Sequence, residues 1–198
     1  MAVRWSRAGR GDTVLDSCCG SGDIARIASS VVGRKGRVVG YDFSENMLAY
    51  ARERKMTAMS EYDNVEWVQG DALSYPYADG TFDAATMGYG LRNVSDRELA
   101  LRELSRVLKR GGVAAILDFA NTSDNAAVDG VQRFLLERVV VPYAESQGVG
   151  DQYRYLRPSI EGYPTGEALE GLARGSGFRE AVFYSIGFGL MGVLVCKK

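Results

Sequence analysis

Short apolar runs rich in β-branched residues alternate along the chain with longer stretches whose apolar positions recur at helical spacing. That alternation predicts βαβ units wound about a largely parallel sheet. Strands are expected over Thr13 to Cys18, Arg37 to Tyr41, Val65 to Gln69, Phe82 to Gly88 and Val113 to Phe119. Between them, Asp23 to Val32 and Glu45 to Met59 read as helices. Ser95-Asp-Arg-Glu has the spacing of a capping box and opens a third helix, closed by Lys109 to Gly112, with Leu99, Leu101, Leu104, Val107 and Leu108 as its buried face.

After the fifth strand the regularity breaks. Asn121 to Pro164 is far longer than the roughly 10 to 12 residues of a minimal crossover, so it reads as an insertion with a role of its own. Within it, Val128 to Val141 has the pattern of an apolar helix ending at Pro142, and Tyr143 to Tyr163 is a looser segment dense in Tyr, Gly and Arg. A helix from Thr165 to Ser176 and two further strands complete the pattern. The last two strands flank Ile186-Gly-Phe-Gly and read as a hairpin, which makes one terminal strand antiparallel to the rest. The expectation is a doubly wound α/β fold, a single domain over residues 1–198 with an insertion at about 121–164.

Composition narrows the class. The 198 residues are 46% hydrophobic, enough to bury one core, and the formal net charge is −1. Such a balance offers no general attraction to phosphate backbones, so nucleic acid is not an expected partner. Apolar stretches are interrupted well before the ~20 residues of a membrane-spanning helix, which leaves a soluble or membrane-peripheral chain. Cys18 and Cys19 are neighbours and Cys196 lies near the far end. A disulfide framework is therefore not expected, and a reducing compartment is. Histidine is absent, which excludes an imidazole base, a His-containing triad and most zinc sites; no metal centre is expected. The start, Met1 to Ser6, has no signal-peptide pattern, and the expectation is either a compact protein or one whose leader has been removed.

The chemistry concentrates at strand ends. The first strand runs into Asp16-Ser-Cys-Cys-Gly-Ser-Gly-Asp23, where Gly20 and Gly22 permit a tight strand-to-helix turn and close approach of a ligand. The turn lacks both the third glycine of the dinucleotide fingerprint and the Gly-Lys-Ser of a phosphate loop, so a smaller adenosyl ligand suits it better. Asp42 ends the second strand about 20 residues later, where a carboxylate can accept hydrogen bonds from two ribose hydroxyls, while Ser44 is better placed as the cap of the next helix. Asp71, in Gly70-Asp-Ala72 after the third strand, can accept from the exocyclic amine of an adenine, or serve simply as a turn residue. Three such signals at successive strand ends line one crevice, the place where open α/β sheets bind ligands.

This set resembles the class I S-adenosylmethionine-dependent methyltransferases. More closely, Gly90-Leu-Arg-Asn-Val94, Asp79-Gly-Thr-Phe-Asp83, Arg106-Val-Leu-Lys109 and Tyr153-Arg-Tyr-Leu-Arg-Pro-Ser-Ile160 are similar to the quinone-biosynthesis C-methyltransferases of the ubiquinone/menaquinone type. The Leu-Asp-x-Cys-Cys-Gly-Ser-Gly-Asp form, Val139 to Pro142 and Gly162-Tyr-x-Thr-Gly-Glu167 resemble the plant and cyanobacterial branch, which methylates demethylphylloquinone, a 2-phytyl-1,4-naphthoquinone, after its reduction. The resemblance covers nearly the whole chain and implies a seven-stranded Rossmann-like sheet, S-adenosylmethionine as cofactor, S-adenosylhomocysteine as product and a lipophilic reduced naphthoquinone as acceptor. Two departures are visible. Lys109-Arg-Gly stands where the family has Lys-Pro-Gly, and the family's N-terminal helical segment, part of the substrate enclosure in relatives, has no counterpart in these residues, so an incomplete pocket is expected.

The site implied has a cofactor side of Asp16, Gly20, Ser21, Gly22, Asp42, Phe43, Met47, Asp71, Ala72 and Gly88. The acceptor side comprises Arg92 and Asn93, able to hold a developing phenolate, Asp118 as base or water-orienting group, and Tyr153, with Arg154 and Tyr155, closing over the ring. The alternatives are that Arg92 and Asn93 simply cap the helix at Ser95 and pair with nearby carboxylates, and that Asp118 is a solvated turn acid. Phe134, Leu135, Val139 and Val140 are either shelter for an isoprenoid tail or plain helix core, and Met47 either an adenine contact or core. Peripheral membrane contact, a homodimer, and a plastid or otherwise cytoplasmic setting stay open. Rival readings are a methyltransferase for another phenolic or prenylated acceptor, a non-catalytic scaffold that binds the adenosyl ligand, and a nicotinamide-dependent reductase.

Overall fold

The computed structural model of the chain describes residues 1–54, 64–122, 126–135, 138, 142 and 156–198. Seven strands form one sheet: β1 (Thr13–Ser17), β2 (Arg37–Asp42), β3 (Val65–Gln69), β4 (Phe82–Gly88), β5 (Leu108–Phe119), β6 (Glu180–Ile186) and β7 (Met191–Lys197). Their order is β3-β2-β1-β4-β5-β7-β6. The first five pair in parallel, and β7 runs antiparallel to both β5 and β6. The expected terminal antiparallel strand is thus an inner one, because the short β6–β7 connection folds the last strand back into the gap beside β5. Chain order reverses between β1 and β4, and at such a switch point the flanking loops splay apart and leave a crevice at the carboxyl ends.

The two-residue period of the strands builds two cores. Leu15, Val39 and Ala85 enter the larger cluster, with Phe82, Met87, Leu101, Leu104 and Leu169. Their neighbours Val14, Val38 and Ala84 point the other way, to Val3, Ala25, Ala28 and Val32. Helices α1 (Ala2–Trp5) and α2 (Asp23–Val32) cover that second face; α4 (Arg97–Val107) and α7 (Gly166–Gly175) cover the first. Also present are α3 (Glu45–Glu53), α5 (Ala126–Leu135) and α6 (Leu156–Glu161).

Most predicted boundaries agree within a residue or two, and the differences have local causes. The cap of α4 is Asp96, whose Oδ1 accepts the Leu99 amide at 2.9 Å, so the helix begins one residue later than a Ser95 cap would place it. Its buried face is Ala100, Leu101, Leu104, Ser105 and Val107; Leu99 is only half-buried. Strand β5 follows without a linker, and Lys109 to Gly112 are absorbed by a register shift against β4, with Gly111 at φ +81°. Helix α1 was not expected; four residues are too few to display a helical period. Helix α3 stops at Glu53, with Arg54 already extended, and the end of the expected loose segment folds as α6; residues 55 to Met59, the Val128 helix past Leu135 apart from residues 138 and 142, and Tyr143 to Tyr155 lie outside the described residues.

Candidate active site

A cavity of about 540 Å³ opens at the switch point. It is lined from β1 by Cys18 and Gly20, from β2 by Tyr41, Asp42 and Phe43, from the β3 end by Gly70, Asp71 and Ala72, and from the β4 end by Gly88, Tyr89, Gly90, Asn93, Val94 and Ser95. The volume suits a single small organic ligand. Among the described residues, two carboxylates and no lysine or arginine stand in this lining.

The turns around the cavity are held in unusual backbone conformations. Cys18, Gly20 and Gly22 after β1 have φ of +52°, +51° and +79°, and Tyr89 after β4 has φ of +57°. For Cys18 and Tyr89 the left-handed region carries a steric cost that the surrounding packing must offset. The two strained turns touch, since a Cβ at Gly90 would lie 2.5 Å from Cys18 Cβ. Gly22 faces away from the cavity: a Cβ there would sit 2.3 Å from Trp67 Cη2, so this glycine serves helix–sheet packing. Ser21 Oγ donates to Asp23 Oδ2 at 2.6 Å, and neither Ser21 nor Gly22 lines the cavity.

Asp42 locks the two ligand-side turns together. Its Oδ2 accepts the Gly20 amide at 2.7 Å and its Oδ1 the Ser44 amide at 2.9 Å, which leaves lone pairs on both oxygens. Ser44 caps α3, accepting the Met47 amide at 3.4 Å. Asp71 is both a turn residue and a lining residue: Oδ1 accepts the Leu73 amide at 2.9 Å, and the side chain is exposed at the cavity. Phe43 is exposed at the rim and Ala72 is buried beneath it. Met47 is neither core nor lining; it is 40% exposed, with its methyl close to Gly20.

Asp16 lies behind the glycine turn, fully buried. Its Oδ1 accepts from Thr86 Oγ1 at 2.7 Å, while Oδ2 is buried with no hydrogen-bond partner. Burial pushes its carboxyl from 3.8 up to about 7, with Asp42 and Asp23 adding smaller repulsions against the Thr86 hydrogen bond. Burial likewise pushes the Cys18 thiol up to about 12, so it is a packing group and a poor nucleophile.

On the other side of the rim, Arg92 and Asp118 form a buried ion pair, Nε to Oδ1 at 3.1 Å. Asp118 also accepts the backbone amides of Arg92 (3.2 Å) and Phe119 (2.8 Å). Burial raises the Asp118 carboxyl above its usual range, with the Arg92 guanidinium opposing. Arg92 Nη1 donates to Ser159 of α6 and to Asn93 Oδ1 at 3.3 Å. Asn93 donates one amide hydrogen to Tyr89 O at 3.0 Å and lines the cavity; Arg92 and Asp118 do not. Asp118 is therefore no solvated turn acid. Tyr153, Arg154, Tyr155, Val139 and Val140 lie outside the described residues, whereas Phe134 is 61% exposed and so not helix core.

Tyr41, Tyr89, Val94 and Ser95 line the cavity without having been expected in the site. Tyr89 had a signal available: it follows β4 at the place where the glycine turn follows β1, and its ring packs on Phe119 at 5.5 Å between centroids.

Residues 2–198 match the model of the ubiE/COQ5 methyltransferase family. The chain belongs to that family. This methyltransferase is 49% identical to the 2-phytyl-1,4-beta-naphthoquinone methyltransferase, chloroplastic, of Arabidopsis thaliana, over 100% of its own length and 76% of the relative's. It is 48% identical to the 2-phytyl-1,4-naphtoquinone methyltransferase of a Synechocystis strain, over 100% and 82%. Among solved structures, a SAM dependent methyltransferase from Aquifex aeolicus superimposes with a TM-score of 0.69 at 23% identity, covering 96% of this chain and 84% of that one. A SAM-dependent methyltransferase from Methanosarcina mazei gives 0.63 at 20%, covering 94% and 92%. Family and fold are those of S-adenosylmethionine-dependent methyltransferases.

Proposed function

We propose that the enzyme methylates a ring carbon of a reduced, prenylated naphthoquinone of the demethylphylloquinone or demethylmenaquinone kind, with S-adenosylmethionine held in the switch-point cavity and S-adenosylhomocysteine as product. The acceptor class is supported by relatives of 48–49% identity, matched over 76% and 82% of their length, that are named 2-phytyl-1,4-naphthoquinone methyltransferases. The carrying observation for the donor is the cavity lining, which holds Asp42 and Asp71 and, among the described residues, no basic side chain. Such a lining suits a cationic sulfonium and repels a pyrophosphate, which disfavours a nicotinamide cofactor.

The assignment of groups follows from the free valences. Asp42 accepts the ribose hydroxyls through its remaining lone pairs, Asp71 accepts the adenine amine, and Phe43 and Ala72 flank the base. Gly20 and Gly88 leave room for the methionine portion, while Gly22, Ser21 and Met47 shape the turn from behind. Asp16, whose Oδ2 is buried and unpartnered among the described residues, would back the glycine turn without lining the cavity. When bound, the sulfonium supplies a methyl group that is already electrophilic, so the protein's part is alignment and exclusion of water.

The acceptor carbon becomes nucleophilic as the neighbouring ring hydroxyl loses its proton. The second amide hydrogen of Asn93 is the neutral donor for that oxygen, and Arg92, itself held by Asp118, polarises that amide from behind by donating to Asn93 Oδ1. Arg92 is on this reading a positioning residue, and the proton leaves to solvent because no histidine is present to take it. The insertion at about 121–164 is on this reading the part of the chain assigned to the ring and tail; its Tyr153 lies outside the described residues. The test is transfer of a labelled methyl group to a panel of chemically reduced demethylated quinones. Turnover confined to prenylated naphthohydroquinones is expected; turnover only on other phenols, or cofactor binding with no turnover, sinks the reading.

A further inference from the structure

Strand β6 is the outer strand of the sheet, and its uncovered face plays no part in the cavity. Val182 and Tyr184, on one side of the strand by its two-residue period, are 43% and 46% exposed. The strand then enters the Gly187–Gly189 turn, where Phe188 is 99% exposed. Phe188 has φ of +59° between two glycines that also have positive φ. A phenylalanine held in the left-handed region and wholly in water is costly twice over, in backbone strain and in apolar hydration.

Beside this stripe, Trp5 of α1 packs edge-on against Tyr184 with ring centroids 4.8 Å apart. A groove of about 330 Å³ runs between them, lined by Arg4, Trp5, Arg7, Tyr184 and Val195. Among the described residues no carboxylate pairs with Arg4 or Arg7, whereas Glu180, at the far end of the strand, is already engaged by Arg179 and by Lys197 at 3.5 Å. The surface therefore combines interfacial aromatics, bare aliphatic area and uncompensated positive charge.

We propose that this face docks on an anionic lipid bilayer, with Phe188, Tyr184 and Trp5 entering the headgroup layer and Arg4 and Arg7 meeting lipid phosphates. Charge chooses the bilayer over a second copy of the chain: a two-fold contact brings the same surface onto itself, and among the described residues this surface has no free carboxylate to receive the arginines. Topology gives the docking a purpose. β6 is parallel to β5, so Phe188 projects at the carboxyl-end rim where the cavity opens, and an acceptor with a long apolar tail reaches the site without crossing water. That purpose rests on the proposed prenylated acceptor; the docking itself does not.

Flotation of the purified enzyme with phosphatidylcholine vesicles, with and without phosphatidylglycerol, tests the idea. The wild type floats with the anionic vesicles and is released by salt. The double variant Arg4→Glu/Arg7→Glu binds at least roughly tenfold more weakly, and Phe188→Ser also loses binding while its thermal unfolding is unchanged, because the side chain packs on nothing. An enzyme that stays in the aqueous fraction, or variants that float as well as wild type, overturns the proposal. So does a non-floating dimer that the same substitutions dissociate in sedimentation velocity. Methyl transfer to a water-dispersible reduced naphthoquinone with a short prenyl tail, measured on the same samples, separates the two readings: flotation without transfer sinks the acceptor, and transfer without flotation sinks the docking.

Discussion

The two halves of the rim are built differently. On the donor side, from β1 to β3, the groups that face the cavity are backbone turns and carboxylates fixed by bonds to nearby turn amides, such as Asp42 on Gly20 and Ser44. On the acceptor side, the groups are held by side chains that meet across long stretches of sequence: Arg92 reaches Asp118 and Ser159, and Asn121 Nδ2 donates to Tyr163 O at 2.6 Å. A donor common to many reactions can be met by a rigid turn, whereas an acceptor site is remade by whatever insertion folds over it. The difference teaches that damage on the acceptor side should be paid in stability as well as turnover, and damage on the donor side mostly in cofactor affinity.

Removing Arg92 is the largest expected break. Arg92→Ala strands Asp118 as an uncompensated buried carboxylate and should cost about 3–5 kcal/mol in denaturant unfolding. Cofactor affinity measured on the folded fraction should change little; a loss of affinity equal to that caused by Asp42→Ala would erase the contrast between the halves.

Asp16 gives a pH signature next in size. Its folded-state pKa is raised from 3.8 to about 7, so between those values the folded protein keeps a proton that the unfolded chain has released. Stability contributed by this group therefore falls as pH rises from about 4 to about 7, by at most roughly 4 kcal/mol. Asp16→Asn should flatten that slope and be the more stable protein at pH 8. Parallel slopes for the two proteins in urea melts across this range would show that the buried carboxyl is not the cause.

Gly22→Ala asks the donor turn to accept a Cβ 2.3 Å from Trp67 at φ +79° and should destabilise by roughly 2–3 kcal/mol in the same melts. Asp42→Ala is the mildest for folding and the most telling for the ligand. Loss of the ribose hydrogen bonds should weaken cofactor binding by about 1–3 kcal/mol by calorimetry, and an unchanged dissociation constant removes Asp42 from the site.

What could be read in advance tracks this division. Strands β3 and β4 and helix α2 match the pattern residue for residue, since a buried parallel strand and an amphipathic helix each write their period into consecutive positions. Ser44 as the α3 cap and Asp42 at the end of β2 were legible for the same reason: both act on backbone within a few residues or at the next turn. The Asp96 cap was misread by one residue because Ser95 and Asp96 are both good caps, and packing of Leu101 and Leu104 into the larger core chooses between them.

The order of elements, the glycine turn, the strand-end carboxylates and the absence of any imidazole are properties of the chain itself, for each depends on residue type and short-range spacing. Folding alone decided the rest. It placed β7 inside the sheet, turned Gly22 toward Trp67 and away from the cavity, and strained Tyr89 into the lining. It also sank Arg92 into a pair with Asp118 so that only Asn93 faces the cavity. These outcomes belong to contacts between residues distant in sequence, whose energies appear only once the sheet has brought them within reach.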